Sequence, residues 1–174
     1  GSTSHAPGGV FQVNYSKTMT EFARYTTQLY SGLESDGLPA WYPVGSLEVA
    51  WSNERLIDLR RKLGVARSWG VAADLLSPQQ ANDLIPLLSS QIQGALHVPS
   101  DGIARAVRAV EAMASNSESM GVEFVGNVVV TGFDIVDGRI RGLQTSKGPI
   151  EAEQILIATG IWAPTTGAMA GITI

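Results

Sequence analysis

The stretch EAEQILIATG, residues 151–160, sets the tightest limit on what this chain can fold into. Its apolar run scarcely alternates, and a strand of that pattern is one covered on both faces by helices, as in an α/β layer. It closes on the small residues Ala158, Thr159 and Gly160, the kind of strand end where ligands dock in open α/β sheets. The fold class is therefore expected to be α/β.

Helices to cover such a sheet are written upstream. Met19, Phe22, Thr26, Leu29 and Leu33 recur at three- and four-residue steps, and Thr18 with Glu21 matches a capping box, which predicts a helix ending near Gly32. The Gly- and Pro-rich stretch ESDGLPAWYPVG, residues 34–45, reads as a boundary. GSLEVAW then reads as a half-buried strand, followed by a Ser52-capped helix through Leu56, Leu59 and Leu63. Ser77 and Pro78 start another helix that Pro86 ends or kinks. GALHVPSDG supplies a short strand and a turn, and Asp101 is expected to cap a helix running to Gly121, with Ile103, Val107, Val110 and Ala114 on one face. Asp137-Gly138 between two alternating runs predicts a β-hairpin.

Composition narrows the chemistry. A net charge of −4 over 174 residues leaves no basic stripe for nucleic acid, and residues 60–62, Arg-Arg-Lys, read as a solvated helix face. No apolar run approaches the roughly 20 residues of a membrane helix. With no cysteine, disulfides, thiolate zinc sites and thiol nucleophiles are excluded. The two histidines, His5 and His97, have no second histidine at metal-ligand spacing, and His97 reads as a packed strand residue. The G-x-S-x-G, P-loop and G-x-G-x-x-G patterns are all absent. The opening GSTSHAPGG fits either a tag remnant or a cofactor-holding loop.

Taken in order, GSTSHAPG, VFQVNYSKTM, VGSLEVAW, LHVPSDG, VVVTG, DGRIRGLQT and ILIATGIWAPTTGAM resemble the group of dimethylglycine oxidase, dimethylglycine dehydrogenase and sarcosine dehydrogenase, within the D-amino-acid-oxidase-like flavoproteins. The resemblance covers essentially the whole chain. It implies a Rossmann-like FAD-binding domain, residues 1–37 and 100–174, broken by a substrate-domain insertion, residues 38–99, and incomplete at both ends. It decides the opening question for the loop: His5 matches the histidine joined covalently to the flavin 8α-carbon, where a neutral imidazole serves as nitrogen nucleophile. Ser2, Thr3 and Ser4 would line the flavin and its pyrophosphate side, Val130 would hydrogen-bond adenine through its backbone, and Ala158, Thr159 and Gly160 would pass close beneath the cofactor. Gly9 departs from the apolar residue expected after HAPG.

The activity implied is oxidative N-demethylation of dimethylglycine or sarcosine, as in glycine betaine catabolism. Hydride would pass to FAD, and oxygen or an electron-transfer flavoprotein would reoxidise it. The family's catalytic histidine and tyrosine, and a tetrahydrofolate-binding region, would lie downstream. The chain thus reads as an internal piece of a longer enzyme, inactive by itself, cytoplasmic, or in the mitochondrial matrix of a eukaryote, with neither nucleic-acid nor membrane partners. The alternatives are another amine or amino-acid oxidase with noncovalent FAD, and a flavin-free binding module.

Overall fold

Short sheets and three long helices alternate along the first two thirds of the chain, and a β-meander follows. A computed structural model describes residues 2–174. It divides into two units, Gly1–Val122 and Glu123–Ile174.

In the first unit a 3-10 turn, Ser2–His5, leads into β1 (Gly9–Val10). Helix α1 (Lys17–Ser31) begins where the Ser16 hydroxyl accepts the Met19 N–H, so the cap is Ser16 and not Thr18. The chain enters there because Asn14 takes the Ser16 N–H and bonds the Thr20 hydroxyl, fixing the turn one step early. The helix does end at Gly32. Its buried positions are Thr20 and Thr27, whose hydroxyls are satisfied by the Asn14 and Arg24 carbonyls, while Met19, Phe22 and Leu29 stay exposed.

Two small hairpin strands, β2 (Glu34–Ser35) and β3 (Leu38–Pro39), precede β4 (Trp41–Tyr42) and β5 (Ser46–Ala50). Helix α2 (Asn53–Ser68) is capped by Ser52 as its sequence predicts, and β6 (Asp74–Leu76) leads to α3 (Pro78–Leu84), where Ser77 and Gln80 form a reciprocal capping box. That helix stops two residues before Pro86. β7 (Gly94–Val98) lies between β5 and β6, antiparallel to both. Leu59 and Ala66 of α2 close on Ala50, Leu96 and Val98 to make the main core, and Ala81 of α3 packs with Ile92 and Ala95.

The turn after β7 contains the largest departure from expectation. Asp101 caps no helix: β8 (Gly102–Ala104) intervenes, pairing with β1 and β4, and α4 (Ala106–Ser119) starts only at Arg105, which makes no side-chain cap. Gly102 is required in that strand, since a Cβ there would collide with the Tyr42 carbonyl and the Trp41 ring. The buried positions of α4 are Ala109 and Ala112, against Leu33 and Ala40, whereas Val107 and Val110 are exposed and Ile103 belongs to the strand.

The second unit holds β9 (Val130–Val136), β10 (Arg139–Thr145) and β11 (Gly148–Glu151) in the order β11-β10-β9, all antiparallel. Asp137 and Gly138 both have positive φ, as the two-residue turn demands. A 3-10 turn (Gly160–Trp162) and α5 (Ala163–Met169) complete it. The expected doubly covered strand does not form: after a last bond from the Ala152 N–H to the Arg141 carbonyl of β10, residues 153–159 join no strand among the described residues, and Leu156 is 89% exposed. An apolar run expresses a demand for burial, and here neither edge of the meander receives it.

Candidate functional site

Ser2, Thr3, Ser4 and His5 occupy the 3-10 turn that opens the first unit, all exposed. The turn is closed by the Ala6 N–H, which donates to the Thr3 carbonyl, and beyond it Gly8 lies directly on β8. Gly8 has φ +81°, its carbonyl accepts the Ala104 N–H at 2.8 Å, and a Cβ on it would strike the Ala104 carbonyl oxygen. Only glycine allows both the turn and the approach. The loop of Ser-His-Ala-Pro-Gly is thereby anchored on its C-terminal side, and the His5 imidazole projects with no hydrogen-bond partner among the described residues.

Ser4, Ala6 and Pro7 form one wall of a cleft of about 660 Å³. The end of β8 and the start of α4 form the other, with Arg105, Arg108 and Glu111 as its charged residues. The first-turn N–H groups of α4 have no capping side chain, and a helix start is electropositive. Arg105 stacks over Tyr42, its guanidinium carbon 5.8 Å from the ring centre, and Arg108 donates to the Pro39 carbonyl and the Tyr42 hydroxyl, so both guanidiniums are braced. This donor set, uncapped amides and two arginines facing the wall of Ser4, Ala6 and Pro7, fits a phosphate-bearing group such as FAD.

The second unit carries the remaining candidates. Val130 opens β9, opposite Thr145 of β10. Ala158 and Thr159 are exposed, and Thr159 flanks the 3-10 turn that Gly160 enters with φ +56°. No Cβ contact constrains Gly160, so the positive φ alone favours glycine. His97 is half-buried on β7 beside Gly45, in keeping with a packed strand residue, and no cluster of metal-ligating side chains exists among the described residues.

Sequence reasoning missed three residues that matter to the first unit. Arg105 was hidden by assigning the helix start to Asp101. Lys62, in a run whose pattern suggests a solvated face, is half-buried and paired with Glu48, while its neighbours Arg60 and Arg61 are exposed. Gln12 is buried and binds Asp101 across 89 residues, a contact that no local pattern encodes.

The family model described as FAD dependent oxidoreductase matches residues 1–174. The chain is 28% identical to human mitochondrial sarcosine dehydrogenase, covering 100% of this chain and 20% of that protein. It is 31% identical to 4-methylaminobutanoate oxidase (formaldehyde-forming) of Paenarthrobacter nicotinovorans, covering 100% of this chain and 22% of the relative. It is also 30% identical to the mouse mitochondrial pyruvate dehydrogenase phosphatase regulatory subunit, over 96% of this chain and 19% of that one. It therefore spans about a fifth of the curated relatives' length. Among solved structures, L-proline dehydrogenase of P. horikoshii superposes with a TM-score of 0.88 at 25% identity, over 98% of this chain and 46% of that one. Glycine oxidase of Geobacillus kaustophilus gives 0.82 at 23% identity, over 100% and 49%. An α/β chain whose full length matches this one family model, and whose fold recurs in those two enzymes, belongs to the FAD-dependent oxidoreductase family.

Proposed function

We propose that this chain is part of an FAD-linked enzyme that oxidatively N-demethylates dimethylglycine or sarcosine, with His5 as the covalent tether of the flavin. The observation that carries the tether is the anchored loop: Gly8 is clamped to β8 while the His5 imidazole stands exposed and without a hydrogen-bond partner among the described residues. FAD, when bound, supplies the hydride acceptor. The chain's own groups hold it. Ser2, Thr3 and Ser4 line the turn beside the tether, the start of α4 presents positive charge, Val130 offers backbone groups to adenine, and Ala158, Thr159 and Gly160 keep a low profile beneath the cofactor. Residues 38–99 serve as the substrate-domain insertion of that enzyme. The substrate class is supported by two relatives whose names specify oxidation of N-methylated amino acids.

The regulatory subunit among the relatives favours a second reading, in which the fold persists as a binding module without flavin. Acid precipitation of the purified holoprotein separates the readings. A yellow pellet that becomes colourless in His5→Ala is expected for the tethered enzyme. Flavin in the supernatant indicates a noncovalent oxidase, and flavin in neither fraction indicates the module.

A further inference from the structure

Tyr42, half-buried on β4, holds both arginines of the cleft at the start of α4. Its ring lies under the Arg105 guanidinium, 5.8 Å from the ring centre to the guanidinium carbon, and its hydroxyl accepts from Arg108 Nη1 at 3.2 Å. Nη1 also donates to the Pro39 carbonyl, so that corner of Arg108 is spent on the scaffold. The Nε and Nη2 edge of Arg108, and every side-chain N–H of Arg105, have no hydrogen-bond partner among the described residues. Among those residues neither arginine has a carboxylate within ion-pairing distance. Glu111, the acid of the cleft, accepts the Ser35 hydroxyl at 3.3 Å.

Over the lining of the cleft two guanidiniums thus meet one carboxylate, in a chain whose net charge is −4, so the local field opposes that of the whole and selects an anion. An unbraced arginine gives up much rotamer freedom when it grips an anion, whereas one already seated on a tyrosine has less to lose. Each free guanidinium edge is a fork for two oxygens, and the uncapped amides of α4 add further donors. Two forks and those amides call for more acceptor oxygens than one carboxylate or one phosphate brings. Two linked phosphates supply them.

We propose that Tyr42 is a positioning residue, which presents Arg105 and Arg108 as a paired clamp for a diphosphate group. The diphosphate of FAD and a free diphosphate share that chemistry, and the test separates them. The clamp lies in the cleft that fits FAD but does not rest on the His5 tether, so acid precipitation and the titration below fail independently.

The test is an NMR titration with inorganic pyrophosphate, read at the arginine Nε–H signals, on the purified protein and on flavin-free protein produced in a riboflavin auxotroph, with orthophosphate alongside. Saturable shifts at Arg105 and Arg108 in the flavin-free protein, with pyrophosphate bound at least about tenfold more tightly than orthophosphate, are expected. Tyr42→Phe keeps the ring and loses the hydroxyl. It should weaken pyrophosphate binding about three- to tenfold and shrink the Arg108 response while that of Arg105 persists, a split that a general loss of structure would not produce. Tyr42→Leu should lose both responses. Binding to the flavin-free protein alone supports the clamp with the cofactor's own diphosphate as occupant, and binding to both forms supports it with a free diphosphate. No saturable binding to the flavin-free protein, equal affinity for the two probes, or a Tyr42→Phe variant that binds as the unsubstituted protein does overturns the proposal. The probe comparison and Tyr42→Phe decide the matter even where Tyr42→Leu fails to fold.

Discussion

The two units use comparable apolar sequence to opposite ends. In the first, helices close on β5 and β7, and leucines 59 and 96 are almost fully buried. In the second, β10 pairs on both sides in a three-stranded meander, with two register shifts against β9, yet every buried apolar side chain of the described residues lies before it. Ile135, Ile150, Leu156, Ile161 and Trp162 are all exposed. The difference teaches that a strand ladder and a core are separate achievements: turns and alternation are enough for the first, whereas the second needs a facing element.

The strongest test of that contrast compares two leucines. Leu59, on α2, is 0% exposed and touches the main core. Leu59→Ala should lower stability by about 3–5 kcal/mol, because the transfer and cavity terms add. Leu156→Ala, at a residue with nothing to lose, should stay within about 0.5 kcal/mol. Urea unfolding with constant m-value measures both. Similar losses at the two sites would break the comparison, since they would mean that Leu156 is buried in solution.

The same contrast explains how much could be read from sequence. Local chemistry was legible: Ser52, Ser77 with Pro78, Gly32 and Asp137-Gly138 each sit where their types predict, because a cap or a turn is decided by a few adjacent residues. What failed depended on distant partners. Residues 153–159 show the pattern of a covered strand with no ladder to join, and the apolar stripe of α1 is not the face that this unit buries. Asp101 is a residue type that caps helices, but its carboxylate is taken by Gln12 and Ser46 and the helix starts four residues later than expected. For the candidate site, the Ser-His-Ala-Pro-Gly loop was visible as a stretch of sequence. Its clamp on Ala104 and the arginines facing it were not, because both depend on pairing across about a hundred residues.

Glycines carry the comparison to the backbone. Gly142 is buried in β10, and a Cβ there would meet the Ile150 carbonyl of the neighbouring strand. Gly142→Ala should cost about 2 kcal/mol and open the β10–β11 pairing, seen as faster amide exchange at Ile150. Gly64 lies in α2 with no atom near its missing Cβ and no positive φ, so Gly64→Ala should gain about 0.5–1 kcal/mol. Opposite signs are the expected result. A stabilising Gly142→Ala would mean that the meander is looser than its register implies.

The smallest effect concerns the rim of the first unit, where its advantage in packing should vanish. The Tyr15 hydroxyl donates to Asp58 at 3.0 Å, and its phenol pKa is raised above the ordinary value by partial burial first, then by the hydrogen bond and charge of Asp58. A raised folded value means that the native state keeps its proton where the unfolded chain has lost it. The contact therefore contributes fully below the unfolded value of about 10 and is lost as pH climbs through the folded one. Tyr15 is 59% exposed, so solvent screens the interaction, and its effect on stability should be hard to detect. Asp58→Asn removes the charge and should move the Tyr15 titration, followed by NMR of the labelled ring, down toward that of a free tyrosine while leaving unfolding in urea almost unchanged. An unaltered titration would show that the pair does not form in solution. A large loss of stability would place part of the first unit's strength in its surface network, against the view that its core alone sets it apart.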